Sequence, residues 1–224
     1  MFVSLVSIES LSVEATARRA PNGDLFVICT CGGTKEPAPE NQVYFFRSTD
    51  DGKTWAKKKI SEEDGWAHYQ TCTAVWNGKI YVFISRHNGN FVDWFNYLLV
   101  SADSGETWQK TETPLIKEYG FIRDMICLNN GKLLFPYHSY PVPQDQIDDC
   151  RARGVIICES KFPYVDNGVL IGDFENGFEK ITAFNQPQEE LCLWGGGKWR
   201  WTWSENTVVE AEDGHLIMLY RFDR

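Results

Sequence analysis

An eight-residue motif that occurs twice constrains the fold of this chain more than any other feature. The motif reads Ser-x-Asp-x-Gly-x-Thr-Trp at residues 48–55 and again at residues 101–108. In such a motif the Asp side chain bonds the backbone a few residues on and Gly takes a positive φ, which makes a tight corner between strands. Each copy follows a strand-like apolar run, and residues 173–177 form a degenerate third copy. The motif therefore predicts corners at a fixed place in a repeated unit.

A second hairpin signal alternates with this motif. Turns that end in Gly lie between apolar runs at residues 21–23, 76–78, 129–131 and 212–214. Asn-Gly and Asp-Gly in this setting are the strongest short hairpin signals. The repeating unit then has four antiparallel strands in about 40–80 residues, as a propeller blade does. We predict a single all-β domain, a β-propeller of about three and a half blades, at approximately 10–62, 66–115, 119–182 and, incomplete, 203–224.

Composition excludes several classes of function. The net charge of −9 disfavours non-specific nucleic-acid binding, which needs a basic surface. The seven Cys are odd in number and include no CxxC pair, so they are expected as buried apolar side chains rather than as disulfides or zinc ligands. No apolar run approaches the about 18 residues of a membrane span, and the first residues do not read as a signal peptide. Without a recognisable signal peptide, we expect a cytoplasmic protein. We expect no cofactor, because the sequence contains no phosphate loop or metal motif.

The repeated motif resembles the Asp boxes of the sialidase superfamily. Residues 20–36 are similar to the opening of its bacterial neuraminidase-like members, residues 120–136 to their middle, and residues 205–221 to a segment that carries a catalytic Glu and a substrate-binding Arg. Together these stretches extend over most of the chain. The resemblance implies a six-bladed propeller, of which about two and a half blades would be missing. An open propeller has unpaired strand edges, so self-association of this chain is expected.

Polar residues recur where the first strand of each blade should line a central channel. Nine residues before each turn Gly lie Glu14, Tyr69, Ile122 and Glu205; eight residues before lie Ala15, Gln70, Arg123 and Asn206. The predicted channel-mouth residues are Glu14, His68, Gln70, Arg123, Asp124 and Glu205. The alternative is that some of them face solvent or pair with one another, and a lone His such as His68 is more often structural.

The resemblance assigns roles to some of these residues. Glu205 would be the Glu that takes the proton of a nucleophilic Tyr, and Arg221 would be one of three Arg that grip a sugar carboxylate. Glu210 competes with Glu205 for that role. Glu36 is the positional candidate for the general acid, with Glu40 as the alternative.

The chain departs from the family pattern in two ways. The place of the first substrate-binding Arg holds Val13-Glu14-Ala15, and the nucleophilic Tyr and last Arg would lie beyond Arg224. Arg123 is the candidate to replace the missing Arg; the alternative is a salt bridge to Asp124 or to a neighbouring blade.

Three functional hypotheses follow from these features. The first is a sialidase-like exo-glycoside hydrolase that acts on a terminal, acidic sugar. The second is a carbohydrate-binding propeller without activity, and the third is a glycosidase for a different sugar; the missing Arg favours the third over a strict sialidase. A tryptophan cluster could stack on sugar rings or cap the core between blades, and consists of Trp194, Trp199, Trp201 and Trp203.

Overall fold

Four antiparallel sheets, named A to D here, make up nearly all of the regular structure in the described residues. The computed structural model describes residues 10–89, 95–111, 121–139, 145, 148, 152–153, 164–187 and 202–223. The chain divides into two compact units, Met1–Lys117 and Glu118–Arg224. Sheets A and B belong to unit 1, and sheets C and D belong to unit 2.

Both sheets of unit 1 are four-stranded meanders in chain order. Sheet A consists of β1 (Ser12–Arg19), β2 (Leu25–Cys31), β3 (Gln42–Ser48) and β4 (Ala56–Lys59). Sheet B consists of β5 (Ala67–Trp76), β6 (Lys79–His87), β7 (Phe95–Ser101) and β8 (Gln109–Thr111). The prediction of an all-β chain built from four-stranded antiparallel units is confirmed here.

Unit 2 continues the same pattern with one irregular and one shorter sheet. Sheet C consists of β9 (Phe121–Ile122), β10 (Ile126–Cys127), β11 (Leu133–Ser139), β12 (Tyr164–Asp173) and β13 (Gly177–Pro187). Both β9 and β10 pair with β11, so they are two halves of one broken first strand. Sheet D contains β14 (Thr202–Glu210) and β15 (Leu216–Asp223). The described residues between β11 and β12 are helical, namely 145, 148 and 152–153.

The two copies of the eight-residue motif form the same corner. In the first copy the Ser48 hydroxyl donates to Asp50 Oδ1 at 2.8 Å and accepts the Gly52 N–H at 2.8 Å. Asp50 Oδ1 also accepts the Thr54 N–H at 2.9 Å, and the second copy repeats all three distances. The hydroxyl of Thr54, followed by these other donors, lowers the pKa of Asp50 to about 2. Each corner joins the third and fourth strand of its sheet, as the motif predicts.

The degenerate third copy lies at the equivalent hairpin of sheet C but is bonded differently. Asp173 Oδ1 accepts the backbone N–H groups of Glu175 and Asn176 at 2.9 and 2.6 Å. The side-chain amide of Asn176 also donates to both Asp173 oxygens at 3.0 Å. Asn176 therefore supplies the contacts that a Thr hydroxyl supplies in the other two corners.

The core of unit 1 lies between the facing sides of sheets A and B. Phe26, Ile28 and Val43 from sheet A pack with Val82 and Ile84 from sheet B. A Cβ placed at Gly105, in the corner of sheet B, would lie 2.3 Å from the Phe45 ring, so Gly allows this corner to dock on sheet A. Each fully buried side chain of this kind stabilises the fold by about 1.5–3 kcal/mol.

In unit 2 a smaller cluster joins sheets C and D. It contains Leu134, Val169 and Val208. The opposite face of sheet D leaves Val209, Ile217 and Leu219 between 51% and 64% exposed. Self-association through open edges stays a prediction. No helix in the described ranges has the length and apolar character to cross a membrane.

Candidate functional site

The first strand of every sheet is broken near the predicted channel mouth. The register shifts between Val13 and Thr16 in β1, between Gln70 and Cys72 in β5, and between Ser204 and Thr207 in β14. In sheet C residues 123–125 separate β9 from β10. Bulges of this type redirect side chains and are common beside active sites.

The pairing registers place Glu14, Gln70, Ile122 and Glu205 at the same position of their sheets. The count of nine residues before each turn Gly predicted Tyr69 at this position. That prediction is wrong by one residue, because Gln70 lies there. Sheet B has a two-residue turn, because Trp76 pairs with Lys79, whereas Arg19 pairs with Leu25 across a longer loop. The shorter turn shifts every earlier residue of β5 by one position.

Two acidic residues at this position have a strained backbone. The φ angles of Glu14 and Glu205 are 55° and 48°. For a residue with a Cβ, this left-handed conformation costs about 1–2 kcal/mol. Residues held in such conformations cluster at functional sites. Glu14 and Glu205 therefore share a register position, a strained backbone conformation and a carboxylate side chain.

In unit 1 the hydroxyl of Tyr69 lies among several polar groups. Tyr69 is buried, whereas Glu14 and Glu36 are exposed. Burial first, and then the charge and hydrogen bond of Glu36 and the charge of Glu14, raise the pKa of Tyr69 well above its usual range. The same hydroxyl lies 3.1 Å from Asn41 Oδ1. Two exposed carboxylates thus act on one buried phenol.

Asn41, which was not among the predicted site residues, shapes the loop that carries Glu36. Its Oδ1 accepts the Ala38 N–H at 2.8 Å, and its Nδ2 donates to the Gly32 carbonyl at 2.7 Å. A Cβ at Gly32 would lie 2.2 Å from the Glu40 carbonyl oxygen, so the loop closes tightly on itself. The available signal was an Asn beside prolines, because Asn commonly bonds nearby backbone in turns.

His68 lies in the same region but within the core. Its Nε2 is 2.9 Å from Asp64 Oδ1, and its Nδ1 is 2.8 Å from the Tyr97 hydroxyl. Burial lowers the pKa of His68, so the ring is neutral at physiological pH. Its backbone N–H donates to the Asn41 carbonyl at 2.9 Å. His68 is therefore a buried structural residue that stabilises the segment of β5 next to Tyr69.

Gln70 is also buried, and it connects β5 to sheet A. Its backbone N–H donates to the Thr30 hydroxyl at 3.0 Å, and its Nε2 donates to Thr16 Oγ1 at 3.2 Å. Among the described residues, Gln70 Oε1 has no hydrogen-bond partner. In unit 2 the Glu205 N–H donates to His138 Nδ1 at 3.3 Å, which is the equivalent bond.

Thr30 and His138 share a signal that was readable in the sequence. Each lies seven residues after its turn Gly, as Ser85 and Arg221 do in the other two sheets. A polar residue in an otherwise apolar second strand, repeated at one interval, marks the place where that strand faces the break. In unit 1 this residue, Thr30, bonds β5 of sheet B, and in unit 2 His138 bonds β14 of sheet D.

The structure brings the predicted residues of unit 2 to one end of sheets C and D. Ser204, beside Glu205, pairs with Arg221, and Glu205 bonds His138, whose strand pairs with β9. Arg123 follows β9 directly, and its N–H donates to the Pro136 carbonyl at 2.9 Å. Asp124 Oδ1 accepts the Met125 N–H at 2.8 Å. The side chain of Arg221 lies outside the described residues.

Glu210, the competing Glu, lies at the other end of β14. It pairs with Leu216 beside the turn, and its Oε2 accepts the Asn129 N–H at 2.8 Å. This bond ties sheet D to the Gly turn of sheet C. The residues of the tryptophan cluster fall at 194–203, where only the backbone of 202–203 is described, so their contacts lie outside the described residues. Across the described ranges, no group of three or more His, Cys, Asp or Glu side chains is arranged to hold a metal ion.

Comparison with known proteins gives structural but not sequence relatives. No family model matches the chain, and no curated protein matches its sequence. A protein of unknown function from Dyadobacter fermentans has 16% identity and a TM-score of 0.62 over 95% of this chain. The Trypanosoma rangeli sialidase, solved with 2,3-difluorosialic acid, has 17% identity and a TM-score of 0.58 over 95%. The Penicillium chrysogenum alpha-L-arabinanase, solved with arabinobiose, has 17% identity and a TM-score of 0.55 over 96%.

These relatives are longer than this chain. The chain spans 62% of the Dyadobacter protein, 34% of the sialidase and 59% of the arabinanase. At these identities the similarity concerns the fold. The chain has the propeller-type fold that glycoside hydrolases such as the sialidase and the arabinanase share.

Proposed function

We propose that the protein is a glycoside hydrolase that acts on a terminal sugar, with Glu36 as the acid–base residue. Glu205, in unit 2, is a separate candidate for a catalytic carboxylate, supported by its strained backbone. The observation that carries the proposal is the arrangement of Glu14 and Glu36 around the buried hydroxyl of Tyr69. It lies at the break of β1, where Glu14 has a strained backbone. The fold shared with a sialidase and an arabinanase supports the same class of reaction.

The surroundings of Glu36 suit a residue that gains and loses a proton. Cleavage of a glycosidic bond requires a group that protonates the leaving oxygen and a carboxylate that stabilises or attacks the sugar. Tyr69 has one hydroxyl proton and two acceptors within reach, Glu36 and Asn41 Oδ1. It can donate to Glu36 when that carboxyl is ionised and to Asn41 when it is protonated. Glu36 can therefore change protonation state without leaving a buried hydroxyl unsatisfied.

The charges of unit 1 favour a neutral sugar as substrate. A sugar carboxylate is normally gripped by guanidinium groups, which offer a planar fork of donors. The arginines described in unit 1 have partners elsewhere: Arg47 bonds Asp24 and Glu106, Arg86 bonds Asp64, Arg19 bonds Gly23 and Asp51, and Arg18 bonds the Ala17 carbonyl. The two exposed carboxylates would also repel an acidic substrate. We propose a neutral terminal sugar, such as the arabinose units bound by the arabinanase.

An acidic sugar, including sialic acid, is the second candidate. Arg123 and Arg221, at one end of unit 2, favour it, because guanidinium groups bind carboxylates through a planar fork of donors. The fold shared with a sialidase agrees with either substrate.

Chromogenic glycosides test both the reaction and the sugar. We expect the protein to release 4-nitrophenol from a neutral pentoside or hexoside and not to cleave a sialoside. Glu36→Gln and Glu205→Gln should each lower kcat/KM by about 100-fold or more, as expected for loss of an acid–base group. Glu63→Gln is the matched control, because Glu63 is an exposed carboxylate that pairs with Lys59. Its kcat/KM should stay within about twofold.

Several results would contradict the proposal. Full activity of Glu36→Gln would exclude Glu36 as the acid–base residue. Cleavage of the sialoside alone would establish the acidic sugar. Binding to a glycan array with no turnover of any glycoside would indicate a carbohydrate-binding propeller without activity.

A further inference from the structure

Two cysteines lie side by side on one face of β2. Because alternate residues of a strand point to the same face, Cys29 and Cys31 project together, away from Thr30. Their Sγ atoms are 3.2 Å apart, and both thiols are free. From the sequence, both residues were expected as buried apolar side chains. Direct contact between two thiols gives them chemistry that an isolated buried Cys lacks.

The surroundings of the pair favour one thiolate. Phe46 belongs to the same buried cluster as the two cysteines, and Lys57 Nζ lies 4.2 Å from the centre of the ring of Tyr44, which packs against that cluster. A hydrogen bond with Cys31, and to a smaller extent the Lys57 charge, lower the pKa of the Cys29 thiol despite its burial. The pKa of Cys31 is raised by the same bond. Cys29 is therefore the nucleophilic sulfur and Cys31 the partner that still carries its proton.

We propose that Cys29 and Cys31 form a reversible dithiol–disulfide pair that hydroperoxides oxidise. The Cys29 sulfur attacks one oxygen of the hydroperoxide, the O–O bond breaks, and the leaving oxygen takes a proton to become water or an alcohol. The product is a sulfenic acid at Cys29. The Cys31 sulfur then attacks the Cys29 sulfur, the S–O bond breaks, and the hydroxyl leaves as water with the Cys31 proton. The two thiols lose two electrons, and the hydroperoxide gains them.

The position of the pair makes the disulfide readily reducible. Alternate residues of a strand are about 6.6 Å apart, at the upper end of the Cα separations that disulfides accept, so closing the bond strains β2. Strained disulfides have higher reduction potentials and are opened by ordinary thiols. The extra residue of β1 at Glu14 lies opposite Cys29, and Ser12 pairs with Cys31. Oxidation should therefore disturb the strand that carries Glu14; any effect on hydrolysis rests on the proposed function.

Peptide mass spectrometry tests the pair directly. Residues 20–35 form one tryptic peptide that contains Cys29, Cys31 and no other Cys. After hydrogen peroxide treatment of the folded protein and alkylation, we expect this peptide to be unalkylated and about 2 Da lighter than the dithiol form, with the mass restored by dithiothreitol. In Cys31→Ser, Cys29 should instead be trapped by a dimedone probe. Cys72, which is also buried but lies on β5, should stay reduced and serves as the internal control for reaction at the pair.

Either of two results would overturn the proposal that Cys29 and Cys31 form a reversible disulfide. One is a peptide in which both cysteines remain alkylated at a peroxide dose that forms disulfides in a reference dithiol. The other is oxidation to sulfinic or sulfonic acid without a disulfide.

Hydrogen exchange tests the effect on β1. Amides of residues 12–19 should exchange faster in the oxidised protein than in the reduced protein, and peroxide should not change them in Cys31→Ser. Equal exchange in both wild-type states would overturn the link to β1. Neither measurement depends on hydrolysis, so their failure is distinguishable from failure of the proposed function.

Discussion

The backbone N–H of Gln70 donates to the Thr30 hydroxyl at 3.0 Å, and this bond joins the break in β5 to the second strand of sheet A. The bond between Glu205 and His138 does the same between sheets D and C. A bulge disrupts the ladder locally, so backbone groups at the break need other partners. A polar side chain from the preceding sheet supplies the partner, which explains why a break so near the core is tolerated.

Loss of the Thr30 hydroxyl should destabilise the protein. Thr30→Val keeps the shape of the side chain but leaves the buried Gln70 N–H without an acceptor, at a cost of about 1–3 kcal/mol. Thr30→Ser keeps the acceptor and should recover most of that loss. Free energies of unfolding from urea titration measure both variants. Equal stability of Thr30→Val and wild type would show that the bond contributes nothing.

Removal of the Tyr69 hydroxyl should shift the pH profile of hydrolysis. A donor to a carboxylate stabilises the charged form, so Tyr69→Phe should raise the pKa of Glu36. If Glu36 acts as a proton donor, the alkaline limb of kcat/KM then moves to higher pH, by up to about one unit. Tyr81→Phe is the control, because Tyr81 lies toward the turn end of sheet B, where it pairs with Ala74 and contacts the Trp76 ring. A lower rate with an unchanged profile would mean that Tyr69 only supports the loop.

The strain at Glu205 should reverse the usual preference between Ala and Gly in a strand. Because φ is 48° there, we expect Glu205→Gly to be more stable than Glu205→Ala by about 1 kcal/mol. Both variants should be inactive on glycosides. Thr207, on the same strand, is the control, and Gly should be the less stable replacement at that position. Denaturant titration of the four variants decides the question, and a higher stability of Glu205→Ala would argue against strain.

Gly32 should be the least replaceable glycine of unit 1. A Cβ there would lie 2.2 Å from the Glu40 carbonyl oxygen, and φ is +112°. We expect Gly32→Ala to lower the free energy of unfolding by about 2–4 kcal/mol and to displace Glu36, which reduces kcat. Gly23→Ala, where φ is +96° but nothing lies within 4 Å, should cost about 1 kcal/mol and leave activity intact. Similar losses in both variants would exclude the steric explanation.

Acid should destabilise the protein in two steps. Burial lowers the pKa of His87 from 6.5 to about 3. Below pH 6.5 the unfolded chain therefore gains a proton at His87 that the folded protein does not bind, and the free energy of unfolding falls as the pH drops from 6.5 toward 3. The corner carboxylates Asp50 and Asp103, with pKa values of about 2, add a second loss only below pH 4. His87→Asn should reduce the loss of stability between pH 6.5 and 4.5 by about 2 kcal/mol. Thermal melts across this range measure the difference, and parallel curves would contradict it.

The local parts of the fold were predictable from short stretches of sequence. The corners at 48–55 and 101–108 depend on bonds between residues at most four apart, such as Thr54 to Asp50. The Gly turns and the apolar runs beside them specify hairpins in the same local way. Glu14, Gln70 and Glu205 were also predicted near the strand breaks, because polar side chains stand out in apolar strands; their part in a site stays a prediction.

The site itself was less predictable, for reasons that concern distance along the chain. Because the turn of sheet B is shorter, Gln70 rather than Tyr69 lies at the position that Glu14 and Glu205 occupy in their own sheets. Asn41 gained its importance from contact with Tyr69, 28 positions away. His68 became a core residue because Asp64 and Tyr97 both reach its ring.

The sequence by itself determined an all-β chain of repeated hairpins with tight corners, since those features depend on hydrogen bonds between near neighbours. Only the tertiary structure decided which side chains meet at the strand breaks, which acidic residues are strained, and that Cys29 and Cys31 touch. Those outcomes depend on pairing register and on packing between sheets, where a shift of a single residue changes every contact.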